Sequence, residues 1–364
     1  MDINLFDYEF DHKLIAKYPK KDRDKARLLA VDVQNFKIGH KKFYEISEYI
    51  GKGDVVAVNN SFVKKARILG SRASGGKVEI FITEFPQDIS FPLKLNALVK
   101  SHKSVKESEE IAVAGRGGGV SENIPVFIKI LKKLGGGNFE ISMQTKKDYD
   151  CIFEKCAQIP LPPYIKRSTG KADEIYYQTV YADGTGTGGF SVAAPTAGLH
   201  FTGKTIENIK SRGGVFAPVS LNIGLGTFLP VRTENIKEHD MHKETYSISK
   251  ETADIINGAI ESGNKIILTG TSTVRCLESS ASADGGGVKA ACGRNLETSL
   301  YIYPGYKFKI TKNLITNFHQ PKSSLYIMIC ALIGIEKTRA VYEEALKNGY
   351  SLFSYGDAMY LYNI

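Results

Sequence analysis

Lys265-Ile-Ile-Leu-Thr-Gly-Thr-Ser-Thr-Val-Arg275 decides the fold. A short apolar run ending at a glycine reads as a fully buried strand. The hydroxyl residues after Gly270 then open a helix, expected over Thr273–Ser280, with Thr271 or Thr273 as its N-cap. Strand, glycine turn and helix together form the unit of an α/β sheet. The turn also has a chemical reading. Free N–H groups at a helix start favour a carboxylate or phosphate, and Arg275 adds a bidentate donor. Composition leaves this anion site and a plain βα turn equally open.

The alternation repeats on both sides. Leu28–Asp32, Asp54–Val58, Val215–Ile223, Leu300–Tyr303 and Leu314–Asn317 read as strands. Lys204–Arg212, Ser249–Ser262, Ser323–Ile333 and Lys337–Asn348 read as helices. Parallel pairing is therefore expected. Residues 66–150 differ: Val78–Thr83, Leu95–Val99, Glu110–Ala114, Val126–Ile130 and Asn138–Ser142 are short strands separated by glycine-rich turns. They predict a small all-β barrel or sandwich inserted into the α/β unit. Residues 1–65 plus 151–364 would form the large domain and 66–150 the inserted one, whose ends must lie close together.

The 364 residues are 42% hydrophobic and 24% charged, the make-up of an ordinary globular protein. MDINLFDYEF lacks a basic segment followed by an apolar one, and Leu325–Ile335 is too short to span a bilayer. A cytoplasmic protein without a membrane partner is expected. The five cysteines show no CxxC spacing and read as free thiols. The net charge of +9 permits a polyanionic partner, but 1–65, 66–150 and 151–364 each carry the same excess of three basic residues. Charge therefore locates no nucleic-acid surface.

Chemistry concentrates in loops. Ala193-Ala-Pro-Thr-Ala-Gly-Leu-His-Phe-Thr202 combines proline, glycine and an imidazole between a strand-like and a helix-like run, which suits close backbone approach to a ligand. Thr316-Asn-Phe-His-Gln-Pro-Lys-Ser-Ser324 repeats the design. His200, His239, His242 and His319 fall in such blocks, so at least one general acid or base is expected among them. His239 and His242 are the closest pair at metal-ligand spacing, too few for a zinc site by themselves. Gly224-Leu-Gly226 follows a strand, but Phe228-Leu-Pro230 interrupts the helix that a dinucleotide site requires. The glycine tracts at 115–119, 135–137, 184–189 and 285–287 read as exposed turns without phosphate-loop order. Tyr355-Gly-Asp-Ala-Met359 reads as a surface turn, or as a carboxylate folded onto the site.

These blocks carry a resemblance. DRDKARLL (22–29), GGKVEI (75–80), IPLPPYIKR (159–167), YQTVYA (177–182), AAPTAGLHFT (193–202), GLGTFLPV (224–231), MHKE (241–244), GTSTVRCLES (270–279), YPGYKF (303–308), TNFHQPKSSL (316–325) and FSYGDAM (353–359) run from end to end. Together they resemble the S-adenosylmethionine:tRNA ribosyltransferase-isomerase family of queuosine biosynthesis. The resemblance implies a large α/β barrel-like domain with an inserted small β-barrel. It implies transfer and isomerisation of the ribosyl group of S-adenosylmethionine onto 7-aminomethyl-7-deazaguanine at the tRNA wobble position, releasing adenine and methionine. S-adenosylmethionine would be a co-substrate, with no tightly bound cofactor and no metal. A monomer is expected.

A sulfonium acidifies the adjacent C5′ protons and is itself a leaving group, so the site needs a base and a donor for departing adenine. On that chemistry His200 or His319 is the base. Thr271 and Arg275, beside Gly270, hold the methionine carboxylate. Gly224, Gly226 and Phe228 line the adenosine pocket, and Pro195, Thr196 and Gly198 shape its wall. Basic residues of the β unit and Lys166-Arg167 are candidates for tRNA. The chain departs from the family at Asn59-Asn-Ser-Phe-Val63, where Asn-Asp-Thr-Arg-Val is usual, at Asn222 for histidine and at Gln320 for leucine. Asn60 and Phe62 replace a carboxylate and an arginine together, consistent with loss of an ion pair. A paralogue that binds tRNA or S-adenosylmethionine with altered turnover is the alternative; an ordinary methyltransferase lacks its helix after GLGTF.

Overall fold

The computed structural model describes residues 1–364 apart from 84, 86–88, 115–125, 186–189, 225–229 and 285–286. β1 (Arg27–Asp32) and β2 (Lys37–Lys42) form a hairpin, and a 3-10 helix over Phe43–Tyr49 leads to β3 (Val55–Asn59) and the short β4 (Phe62–Val63). Six strands follow: β5 (Arg67–Ser71), β6 (Lys77–Ile82), β7 (Leu93–Ser101), β8 (Glu110–Val113), β9 (Phe127–Gly135) and β10 (Asn138–Met143). They close into an antiparallel barrel in the order β10-β7-β6-β5-β8-β9. Alternation drives this closure: Leu93, Leu95, Ala97 and Val99 of β7 point inward between Lys94, Asn96 and Lys100. Gly135, Gly136 and Gly137 all have positive φ and make the β9–β10 turn. The tract at 115–119 lies outside the described residues, as do 186–189 and 285–286.

After the barrel come α1 (Lys146–Asp150), α2 (Lys171–Tyr176), β11 (Phe190–Ser191), α3 (Gly203–Ser211), β12 (Val215–Leu221), β13 (Glu244–Ile248) and α4 (Lys250–Glu261). β14 (Ile266–Thr269) and α5 (Thr271–Ser280) realise the strand–turn–helix unit. β15 (Ala281–Asp284), β16 (Gly287–Ala290), β17 (Gly293–Thr298), β18 (Asn313–Asn317), α6 (Ser324–Ile333), α7 (Ile335–Lys347) and β19 (Ala358–Tyr362) complete the chain. Nine strands form one sheet in the order β17-β13-β12-β3-β14-β18-β19-β1-β2. β12, β3, β14 and β18 run parallel, as do β1 and β19, whereas β18–β19, β1–β2, β12–β13 and β13–β17 are antiparallel, so the expected parallel pairing forms the centre of a mixed sheet.

Among the described strands this larger sheet is open, with edges at β17 and β2. The barrel-like expectation is corrected there; closure belongs to the small β unit. Lys37, Lys41 and Lys42 lie on β2, where charge discourages further pairing. The barrel's apolar core, which includes Ile80, Ile111, Ile128 and Ile141, is separate from the sheet's, which has Val55, Leu268, Leu314 and Ile329 on one face and Val56, Val58, Ile267 and Ile315 on the other. Ile152, Cys156 and Ala157 also pack into the barrel core.

Leu300–Tyr303 forms no strand. Its tyrosines pack sideways, Tyr301 against Tyr303 at 5.4 Å and against His239 at 5.1 Å, and Pro304-Gly305 turns the chain away. Asp357 is no surface residue; it is fully buried before β19. The five cysteines are free thiols. Among the described residues no helix is long and apolar enough to cross a membrane.

Candidate active site

An open cleft of about 770 Å³ lies beyond the carboxyl ends of the parallel strands β12, β3, β14 and β18, where α/β sheets ordinarily bind ligands. Leu221 from β12, Gly270–Ser272 after β14 and Thr316–Gln320 from the end of β18 line it. Gly270 has φ +85°, which lets α5 begin directly after the strand, two residues earlier than the pattern predicts. Asn59, at the end of β3, ties these ends together. Its Nδ2 donates to Leu221 O at 2.9 Å and Ser272 Oγ at 3.2 Å, and its Oδ1 accepts from Leu221 N–H.

Arg275 lies on α5 and is 3% exposed on the cleft wall. Its Nη1 pairs with buried Glu244, its Nε donates to Leu300 O, and its Nη2 has no partner among the described residues. Glu244 also accepts from Gly224 N–H at 2.9 Å, so Gly224 reaches the cleft through that carboxylate. Pairing fixes the guanidinium while leaving one N–H arm for an anion.

Pro195, Thr196, Gly270 and Thr271 are brought together on the cleft wall. Gly198 serves packing instead: a Cβ there would overlap Tyr181 Oη and lie 2.9 Å from Thr179. Gly226 and Phe228 lie outside the described residues. Asn60 and Phe62 are not part of the cleft wall; Asn60 Oδ1 accepts from Ser220 Oγ at 2.7 Å, and Phe62 pairs with Phe190 between β4 and β11. Asn222 donates to Thr245 Oγ1 at 2.9 Å, whereas Gln320 lines the cleft.

The two candidate histidines face different spaces. His319 lines the large cleft, with Nε2 2.8 Å from Thr316 Oγ1 and its N–H donated to Tyr342 Oη at 2.9 Å. Burial pushes its pKa down to about 3, so the imidazole is neutral at physiological pH. His200 lines a smaller recess of about 280 Å³ with Lys20, Arg23, Tyr176 and Tyr355. Its ring packs on Phe43 at 5.1 Å, and Nε2 lies 3.3 Å from Asn317 Nδ2. Burial pushes its pKa down to about 4, opposed by Asp357 and assisted by Lys20 and Arg23. Ser354 borders both spaces.

Asp357 pairs with Lys20 and accepts from the N–H groups of Arg27 and Ser351. It therefore anchors the 353–357 segment rather than entering the cleft. Arg167 makes a bidentate pair with Asp173, both contacts at 2.7 Å, leaving Lys166 as the exposed member of that basic pair. Among the described residues no group of three or more His, Cys, Asp or Glu could hold a metal ion. Glu244, Asn59 and Asn317 are the site residues that motif reading does not select. Glu244 and Asn317 stand inside family-like stretches, but contacts such as Arg275–Glu244 across 31 positions have no signature in spacing.

A buried arginine, strand ends rich in hydroxyls and a buried imidazole surround an open cleft at the strand ends, the place where enzymes of α/β architecture hold small ligands. A family model described as queuosine biosynthesis protein matches residues 3–361. An S-adenosylmethionine:tRNA ribosyltransferase-isomerase of Desulfotalea psychrophila is 41% identical over 357 residues, covering 97% of this chain and 95% of the relative. The enzyme of the same name from Legionella pneumophila is 39% identical over 362 residues, covering 99% and 100%. A crystal structure of S-adenosylmethionine tRNA ribosyltransferase from Thermotoga maritima is 30% identical, covers 98% of this chain and 99% of its own, and superposes with a TM-score of 0.52. The chain belongs to the S-adenosylmethionine:tRNA ribosyltransferase-isomerase family of queuosine biosynthesis proteins.

Proposed function

We propose that this chain transfers the ribosyl moiety of S-adenosylmethionine to 7-aminomethyl-7-deazaguanine in the wobble position of tRNA and isomerises it. The products are epoxyqueuosine-tRNA, adenine and methionine. The full-length family match carries this reading, and the cleft supplies chemistry that fits it. Arg275 Nη2 and the Thr271 hydroxyl face the methionine carboxylate; with Nη1 and Nε already engaged, the arginine contact is single rather than bidentate. Pro195 and Thr196 wall the sulfonium nucleoside. His319, which lines this cleft, is favoured over His200, which faces the smaller recess, as the base for a C5′ proton.

The same reading makes S-adenosylmethionine a co-substrate and tRNA the partner, in a cytoplasmic monomer without a tightly bound cofactor. Residues 66–150 would act as an inserted domain, which the separate barrel core supports. Incubation with S-adenosylmethionine and precursor-bearing tRNA tests the activity. Free adenine supports it, S-adenosylhomocysteine means methylation, and binding without either product means a paralogue with lost turnover. Replacing each histidine in turn tests the base; near-normal adenine release by both variants would remove the assignment.

A further inference from the structure

Asn317, at the end of β18, is 2% exposed and forms part of the cleft wall. Its Nδ2 donates to Phe353 O at 3.0 Å and lies 3.3 Å from His200 Nε2. A carbonyl oxygen only accepts, so the amide nitrogen must be the arm facing Phe353. That same nitrogen meets His200, whose Nε2 must then present a lone pair, with the proton on Nδ1. The opposite arm, Oδ1, has no partner among the described residues. A buried acceptor left unmet costs free energy, and such groups persist where a ligand completes them.

We propose that Asn317 Oδ1 accepts an N–H of the sulfonium nucleoside, and that His200 is a positioning residue holding the Asn317 amide in the orientation that offers this oxygen. This rests on the cleft being the S-adenosylmethionine site. The nucleoside has two candidate donors, the α-ammonium and the adenine 6-amino group. Arg275 Nη2, the unpartnered donor on the same wall, is complementary to the carboxylate beside that ammonium. The neutral state of His200 agrees with the required tautomer.

Calorimetric titration with S-adenosylhomocysteine, which carries both donors, and 5′-methylthioadenosine, which keeps the adenine alone, separates the sources. Wild-type protein that binds neither overturns the cleft reading itself. With wild-type binding in hand, Asn317→Leu is expected to weaken S-adenosylhomocysteine roughly 10- to 100-fold. Loss for that ligand alone assigns the ammonium, and loss for both assigns adenine. Unchanged affinity for both overturns the proposal.

His200→Leu should reproduce the loss, whereas His200→Gln, which keeps an acceptor, should stay within about threefold of wild type. Wild-type affinity in His200→Leu overturns the positioning role. So does loss of adenine release in His200→Gln with affinity unchanged, because that behaviour belongs to a base. A measurement without substitution stands beside these, in case a variant fails to fold. Nitrogen NMR of labelled histidine should find His200 protonated on Nδ1, and an Nε2–H tautomer overturns the proposal.

Discussion

Inside the barrel of β5–β10 the buried side chains are apolar with the exception of Ser142. Along the open sheet Asn59, Thr269, Arg275, Thr316 and Asn317 are buried where the strands reach the cleft, with Glu244 opposite. Both units exclude water, but the barrel uses burial for cohesion alone. The sheet keeps polar groups in dry surroundings, where each must be paired and where each interacts more strongly than in water. Glu278, buried away from the cleft, is instead paired within the fold, with the N–H groups of Ile310 and Thr311.

The comparison breaks most readily at Arg275. Arg275→Leu leaves the Glu244 carboxylate buried without its cation, which costs about 3–5 kcal/mol. It also removes the proposed carboxylate contact. Adenine release should fall at least about 100-fold, checked against melting temperature. Full activity would make the buried polar set structural only.

Ile141→Ala in the barrel should act on stability alone. Ile141 is fully buried, so the cavity costs about 2–5 kcal/mol, read as a lower denaturation midpoint. Adenine release per folded molecule should not change. A specific loss of turnover would show that the barrel core shapes the site.

Asp357 sharpens the comparison through pH. Burial disfavours its charge, but Lys20 and the Ser351 and Arg27 N–H groups prevail and hold its carboxyl below the usual range. A carboxyl lowered in the fold adds stability above its unfolded value near ~3.9 and loses it as pH falls through the folded value. Wild-type stability should therefore drop with acidification below about pH 4. Asp357→Asn should be less stable than wild type at pH 7 and show a flatter acid limb. An identical limb in both proteins would exclude Asp357 as its source.

The smallest effect is expected from restoring the family residues outside the cleft. Asn60→Asp with Phe62→Arg should change adenine release by less than about threefold. A large gain would mean that this departure from the family had impaired the enzyme.

The sequence made five of the six barrel strands legible, because short β-favouring runs alternate between glycine turns; β5, whose Arg67, Gly70 and Ser71 weaken that pattern, went unread. It made β14 and α5 legible through a buried run and a glycine stop. Tyr301 and Tyr303 misled because aromatic residues favour strands, yet here their rings pack on one another. β13 and β19 went unread because each begins in a motif block, at the end of MHKE and of FSYGDAM, where the residues suggest chemistry rather than a strand pattern. Motif blocks pointed to the cleft through Pro195, Thr271, Arg275 and His319. They could not separate the space of His200 from that of His319, because a shared wall at Ser354 has no linear signature.

The place of β19 in the sheet has a consequence for synthesis. β1 is made before every other described strand, and its backbone pairs with β2 and β19. β19 is the last strand in chain order and also pairs with β18. The β1–β2 hairpin therefore has no backbone ladder to the rest of the sheet until residues 358–362 have left the ribosome. Docking of that hairpin waits on β19, while the barrel, whose strands lie within residues 67–143, has all its pairing partners long before.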